Sequence, residues 1–102
     1  MKITRRKEYL YIRGYNIAVK QHFSTIKKVF IAPPKEENLA RNRNAKRVDL
    51  VLIFPCVFSM KDTEHRYIVE TQLWGDPEKE ALEYKETIER FISEWQANQN
   101  VV

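Results

Sequence analysis

The chain has 102 residues, 43% of them hydrophobic and 31% charged, with a net charge of +4. That length suits one domain able to bury a core unaided, and that composition excludes a disordered segment. A single cysteine, Cys56, excludes an intrachain disulfide, two glycines leave no glycine-rich phosphate loop, and no apolar run nears the about 20 residues of a membrane span.

Residues 1–7 read as a basic arm. Arg13 interrupts the apolar stretch behind them, so they do not read as a secretory signal, and an intracellular protein is expected. Residues 8–21 alternate, with Tyr9, Tyr11, Arg13, Tyr15, Ile17 and Val19 on one face and Leu10, Ile12, Gly14, Asn16 and Ala18 on the other. Period two with aromatic and β-branched residues predicts a strand, and Gly14 within it a bulge or bend. Residues 22–25 read as a turn and 26–32 as a second strand, ended by Pro33 and Pro34. Residues 34–47 then predict a largely solvated helix with little apolar content.

The most hydrophobic stretch, residues 48–58, predicts a central strand buried on both faces. Pro55 marks a bulge or an edge there, Asp49 the wet end, and Cys56 reads as a small buried hydrophobe. Residues 60–64 read as a polar turn and 66–74 as a fourth strand. Gly75-Asp76-Pro77 is a junction in which Asp76 accepts from free backbone N–H groups and Pro77 opens a helix. That helix extends to about Gln96, because Ala81, Tyr84, Ile88, Phe91 and Trp95 form an apolar stripe, widened by Leu82 and Ile92.

The order is strand, strand, helix, twice. A shift of 43 residues matches it, laying His22 on His65 and residues 34–39 on 77–82. The expected fold is therefore α+β, a single domain over residues 1–102. Two β-β-α units, 8–47 and 48–97, would form it by internal repeat, their sheet packed against two helices. In this alignment Arg43 meets Glu86 and Lys46 meets Glu89, so the two helices would attract.

Charge is split along the chain. Residues 1–48 hold 13 Lys and Arg against 3 Asp and Glu, a net +10, and residues 49–102 hold 5 against 11, a net −6. Such a chain pairs its own halves, dimerises head to tail, or offers its basic half to a polyanion. No nucleophile elbow or spaced metal-ligand set is present, and the helix carboxylates lie on or beside a polar face, so no catalytic residue, metal or cofactor is assigned. The leading reading is a non-catalytic protein-interaction module, monomer or homodimer. It would take a protein or peptide segment in the groove between the repeats or at a strand edge, through Tyr9, Tyr11, Arg13 and Tyr15. The alternative is a nucleic-acid-binding protein using Arg5, Arg6, Lys7, Arg41, Arg43, Lys46 and Arg47, with tyrosines available to stack on bases.

The length, the isolated Cys56, the scarcity of glycine and the aromatic strands Tyr9-Leu10-Tyr11-Ile12 and Leu52-Ile53-Phe54 resemble the orphan small proteins of filamentous viruses of hyperthermophilic archaea. The resemblance implies a viral protein in the host cytoplasm that acts by binding. It assigns no functional residue.

Overall fold

A computed structural model describes residues 1–35 and 45–99. Among the described residues six strands, β1 (Lys2–Arg6), β2 (Tyr9–Gly14), β3 (Ile17–His22), β4 (Lys28–Ala32), β5 (Ala45–Pro55) and β6 (Asp62–Gln72), precede one α-helix, α1 (Pro77–Gln99). The strands form two antiparallel three-stranded sheets, β1-β2-β3 and β4-β5-β6. The protein is thus α+β, but it is not two β-β-α units on two helices. The boundary expected between residues 47 and 48 falls inside β5, and β4 pairs with β5 across it.

Two tight turns cause this difference. Residues 1–7 are no arm, because β1 pairs with β2 through a two-residue turn at Lys7-Glu8. Residues 8–21 are not one strand either. The chain reverses at Tyr15-Asn16, with Gly14 opposite Ile17. Lys7 and Asn16 supply the left-handed φ of 55° and 57° in these turns. Asn tolerates that region through its short polar side chain, whereas Lys does so at a cost. The turn also switches which positions face inward, from Leu10 and Ile12 in β2 to Ile17 and Val19 in β3.

The expected helix over residues 34–47 lies mostly outside the described residues, and its last three form the start of β5. β5 is the central strand of its sheet and is buried on both faces from Val48 to Leu52, as expected for the apolar run that begins at Leu50, with Asp49 enclosed beside it. The α1 stripe packs as its spacing predicts. Ala81 and Ile88 are fully buried, Tyr84, Phe91 and Trp95 pack beside them, and Leu82 stays exposed. Asp76 Oδ1 accepts the Lys79 N–H at 3.1 Å, satisfying one free donor of the first turn.

One core joins all three layers. Leu10 and Ile12 of β2, Phe23 after β3, Val48, Leu50, Leu52 and Phe54 of β5, Val69 of β6, and Ala81 and Ile88 of α1 belong to a single cluster. The turn between β5 and β6 is not polar as expected: Val57, Phe58 and Met60 stand exposed there. Among the described residues no helix is long and apolar enough to cross a membrane.

Candidate nucleic-acid interface

Strand register decides which side chains share a surface, since successive residues of a strand point to opposite faces. Across β1, β2 and β3 the aligned rows are Lys2–Arg13–Ala18, Thr4–Tyr11–Lys20 and Arg6–Tyr9–His22. These nine residues make the outer face of the N-terminal sheet, with Leu10 and Ile12 buried beneath it. Four of the nine are cations, three carry aromatic rings, and none is a carboxylate. The strands stand about 4.8 Å apart and rise about 3.4 Å per residue, so the face measures roughly 10 by 17 Å.

Its rings are held by neighbours. Lys20 Nζ lies 4.6 Å from the Tyr9 ring centroid. His22 meets Tyr9 edge to face at 5.3 Å and Trp95 likewise at 5.7 Å. The imidazole is fixed by the backbone N–H of Ser24, donating to Nδ1 at 3.1 Å, and by Glu8, 3.3 Å from Nε2. Glu8 sits in the β1–β2 turn, at the margin of the face.

The expected site residues divide. Tyr9, Tyr11, Arg13 and Arg6 share the outer face, and Lys7 flanks it in the turn. Tyr15, 93% exposed, stands in the β2–β3 turn instead. Arg5 points the other way, pairing with Glu94 at 2.9 Å and lying over the Phe23 ring. Arg47 belongs to the second sheet, where its Nε donates to Glu70 at 2.7 Å. Lys46 donates to the Gly75 carbonyl at 3.4 Å, and Arg41 and Arg43 lie outside the described residues. The basic half is therefore not one surface. Lys2 and Lys20 belong to the face and were missed, because their place on it follows only from the two tight turns.

Other reactive groups sit apart from this face. His22 ends β3, while His65 lies within β6, stacked on Phe54 at 3.6 Å, so the two residues that the 43-residue shift aligns do not occupy equivalent places. Among the described residues no group of three or more His, Cys, Asp or Glu gathers to hold a metal. Cys56 is half-buried rather than buried, and the backbone N–H groups of Phe58 and Ser59 hold its thiol below the usual range. Asp49 marks no wet end, for it is 1% exposed and accepts from Arg66 Nη1 at 2.9 Å. Asp49 in turn is the first cause that raises the Arg66 guanidinium.

A shallow groove of about 670 Å³ lies elsewhere, between the sheets. Tyr15 to Val19 form one wall and Arg66, Tyr67 and Ile68 the other. Both walls are edge strands, β3 of one sheet and β6 of the other. Comparison with known proteins finds no matching family model, curated protein or solved structure.

Proposed function

We propose that the protein binds nucleic acid on the outer face of its N-terminal sheet. The observation that carries this reading is the composition of that face: Lys2, Arg6, Arg13 and Lys20 around Tyr9 and Tyr11, with no carboxylate among the nine positions. Four cations outweigh Glu8 at the margin of the face, attract phosphate from a distance and exchange it for released counterions, so affinity follows salt. The rings supply stacking that does not depend on base identity. The reading assigns no catalytic residue. A location in the host-cell cytoplasm, as the resemblance to small viral proteins implies, belongs to the same proposal.

The test is fluorescence anisotropy of labelled oligonucleotides across a salt series. Four phosphate contacts predict about 50-fold weaker single-strand binding on going from 50 to 200 mM salt. Arg13→Glu with Lys20→Glu abolishes binding, while Arg5→Ala changes it less than about twofold, since Arg5 faces Glu94. A flat salt response, or equal losses for Arg5 and Arg13 variants, removes the assignment.

A second reading, a protein partner added as an extended strand, is supported by the groove between the β3 and β6 edges. Unpaired edges accept a segment through main-chain hydrogen bonds. Its test is selection of peptides from a display library. Binders lost on Tyr15→Ala and Ile68→Lys support it, and failure to enrich any sequence refutes it.

A further inference from the structure

We infer that the nucleic acid taken by this face is an unpaired strand, two or three nucleotides of which lie along β2 with bases stacked on Tyr9 and Tyr11. The inference rests on the nucleic-acid reading above and names the form of ligand that the geometry selects.

The spacing of the two rings decides it. Tyr9 and Tyr11 stand two residues apart on the same strand and the same face. Two residues of antiparallel strand span about 7 Å. Along one strand of a duplex, successive nucleotides advance about 3.4 Å. Neighbouring bases that remain stacked on each other therefore cannot occupy both rings. They reach both only when the strand is drawn out to about twice that rise, with its bases separated and free to lie on an aromatic surface. A paired strand would have to unstack and unpair first, and that costs free energy at each step. A face about 17 Å long accommodates two or three such extended steps.

The surrounding cations fit the same path. Arg6 and His22 flank Tyr9 across the ladder, and Thr4 and Lys20 flank Tyr11. The next row carries Lys2 and Arg13 beside Ala18, a small side chain that leaves room above the sheet. Charges thus lie to either side of the ring line, where the phosphates of a strand running along β2 would pass.

Lys20 has two positions in this scheme. In the free protein its ammonium covers the Tyr9 ring at 4.6 Å, the place a stacked base would take. Binding moves it from the ring to a phosphate, exchanging a cation–π contact for an ion pair. His22 stays, because its own nitrogens are held by Ser24 and Glu8 while its ring meets Tyr9 edge to face.

The experiment compares a single-stranded 15-mer with a hairpin duplex of equal phosphate number by anisotropy at one salt concentration. The single strand is expected to bind at least tenfold tighter. Tyr9→Leu with Tyr11→Leu is expected to weaken single-strand binding about 100-fold and duplex binding hardly at all. Tyr9→Phe with Tyr11→Phe keeps the rings and is expected to keep the affinity. It also provides the readout should the leucine variant fail to give the wild-type circular dichroism spectrum. Lys20→Met is expected to make the single-strand salt slope shallower by about 0.7. Duplex bound as tightly as single strand, or leucine variants that bind single strand like wild type, overturns the stacking inference and leaves the nucleic-acid reading standing. Loss of affinity in the phenylalanine variant also overturns it, since the hydroxyls rather than the rings would then carry the contact. Binding to neither oligonucleotide at 50 mM salt removes both.

Discussion

Ile88→Ala measures how α1 seats on the sheets. Ile88 is completely buried and joins Ala81 in the core cluster. The substitution deletes three carbons, about 2.4 kcal/mol at roughly 0.8 kcal/mol per buried methylene. The cavity left behind raises this toward about 4 kcal/mol, because neighbouring strands and helix collapse only in part. Leu82 is the control. It lies on the same helix and carries as many side-chain carbons, yet is 43% exposed. Leu82→Ala removes little buried area and installs the best helix former, so its cost stays below about 1 kcal/mol. Urea unfolding followed by circular dichroism gives both values, and thermal scans should show Ile88→Ala lower by roughly 10–30 °C. Equal losses for the two variants, or a larger one at Leu82, would mean the helix is rotated from the seating described above.

Gly75→Ala is expected to destabilise by about 1–3 kcal/mol, since an added Cβ would lie 2.7 Å from Thr71 Cβ and 2.9 Å from its hydroxyl; a midpoint unchanged in urea would show that Thr71 yields freely. Burial pushes the Tyr67 hydroxyl up to about 12 from an ordinary value of 10.0. An absorbance titration should therefore show Tyr67 ionising late, with Tyr84 also displaced upward by burial and by its hydrogen bond to Glu80. The proton is held more tightly by the folded state, so the stability it contributes is intact below about pH 10 and declines as pH rises toward 12. Tyr67→Phe should flatten that decline. The Cys56 thiol, held low by backbone N–H groups, is expected to react with a disulfide reagent at lower pH than in the urea-unfolded chain. Coincident profiles would remove the backbone contribution.

The parts of the fold legible in the sequence are those with long, regular patterns. The five-residue stripe of α1 and its Asp76 cap specify a helix and its buried side, and the apolar run of β5 specifies a strand covered on both faces. The first 22 residues were not legible, because neither turn carries the usual Asn-Gly or Asp-Gly signal. Lys7-Glu8 and Tyr15-Asn16 reverse the chain while the alternation runs on, so three strands look like an arm and one strand. The 43-residue match failed for a related reason. The same shift lays Tyr9-Leu10-Tyr11 on Leu52-Ile53-Phe54, yet the first carries the exposed face of the N-terminal sheet, whereas the second lies in the central strand of the other sheet. Similar residue types had been aligned without similar surroundings. The candidate face was half legible. Period two placed Tyr9, Tyr11 and Arg13 together, but Lys2 and Lys20 joined them only through two hairpin registers, and the same rule sent Arg5 inward.

The exposed tip between β5 and β6 has a consequence for handling the protein. Phe58 is 96% exposed, between two strands of eleven residues paired to each other along their whole length. A protease that cuts after aromatic residues should find its preferred side chain there without any unfolding. Once cut, the two pieces would remain joined by the ladder on either side of the nick. The product of that single cut would migrate as one species on a native gel and as two fragments in detergent.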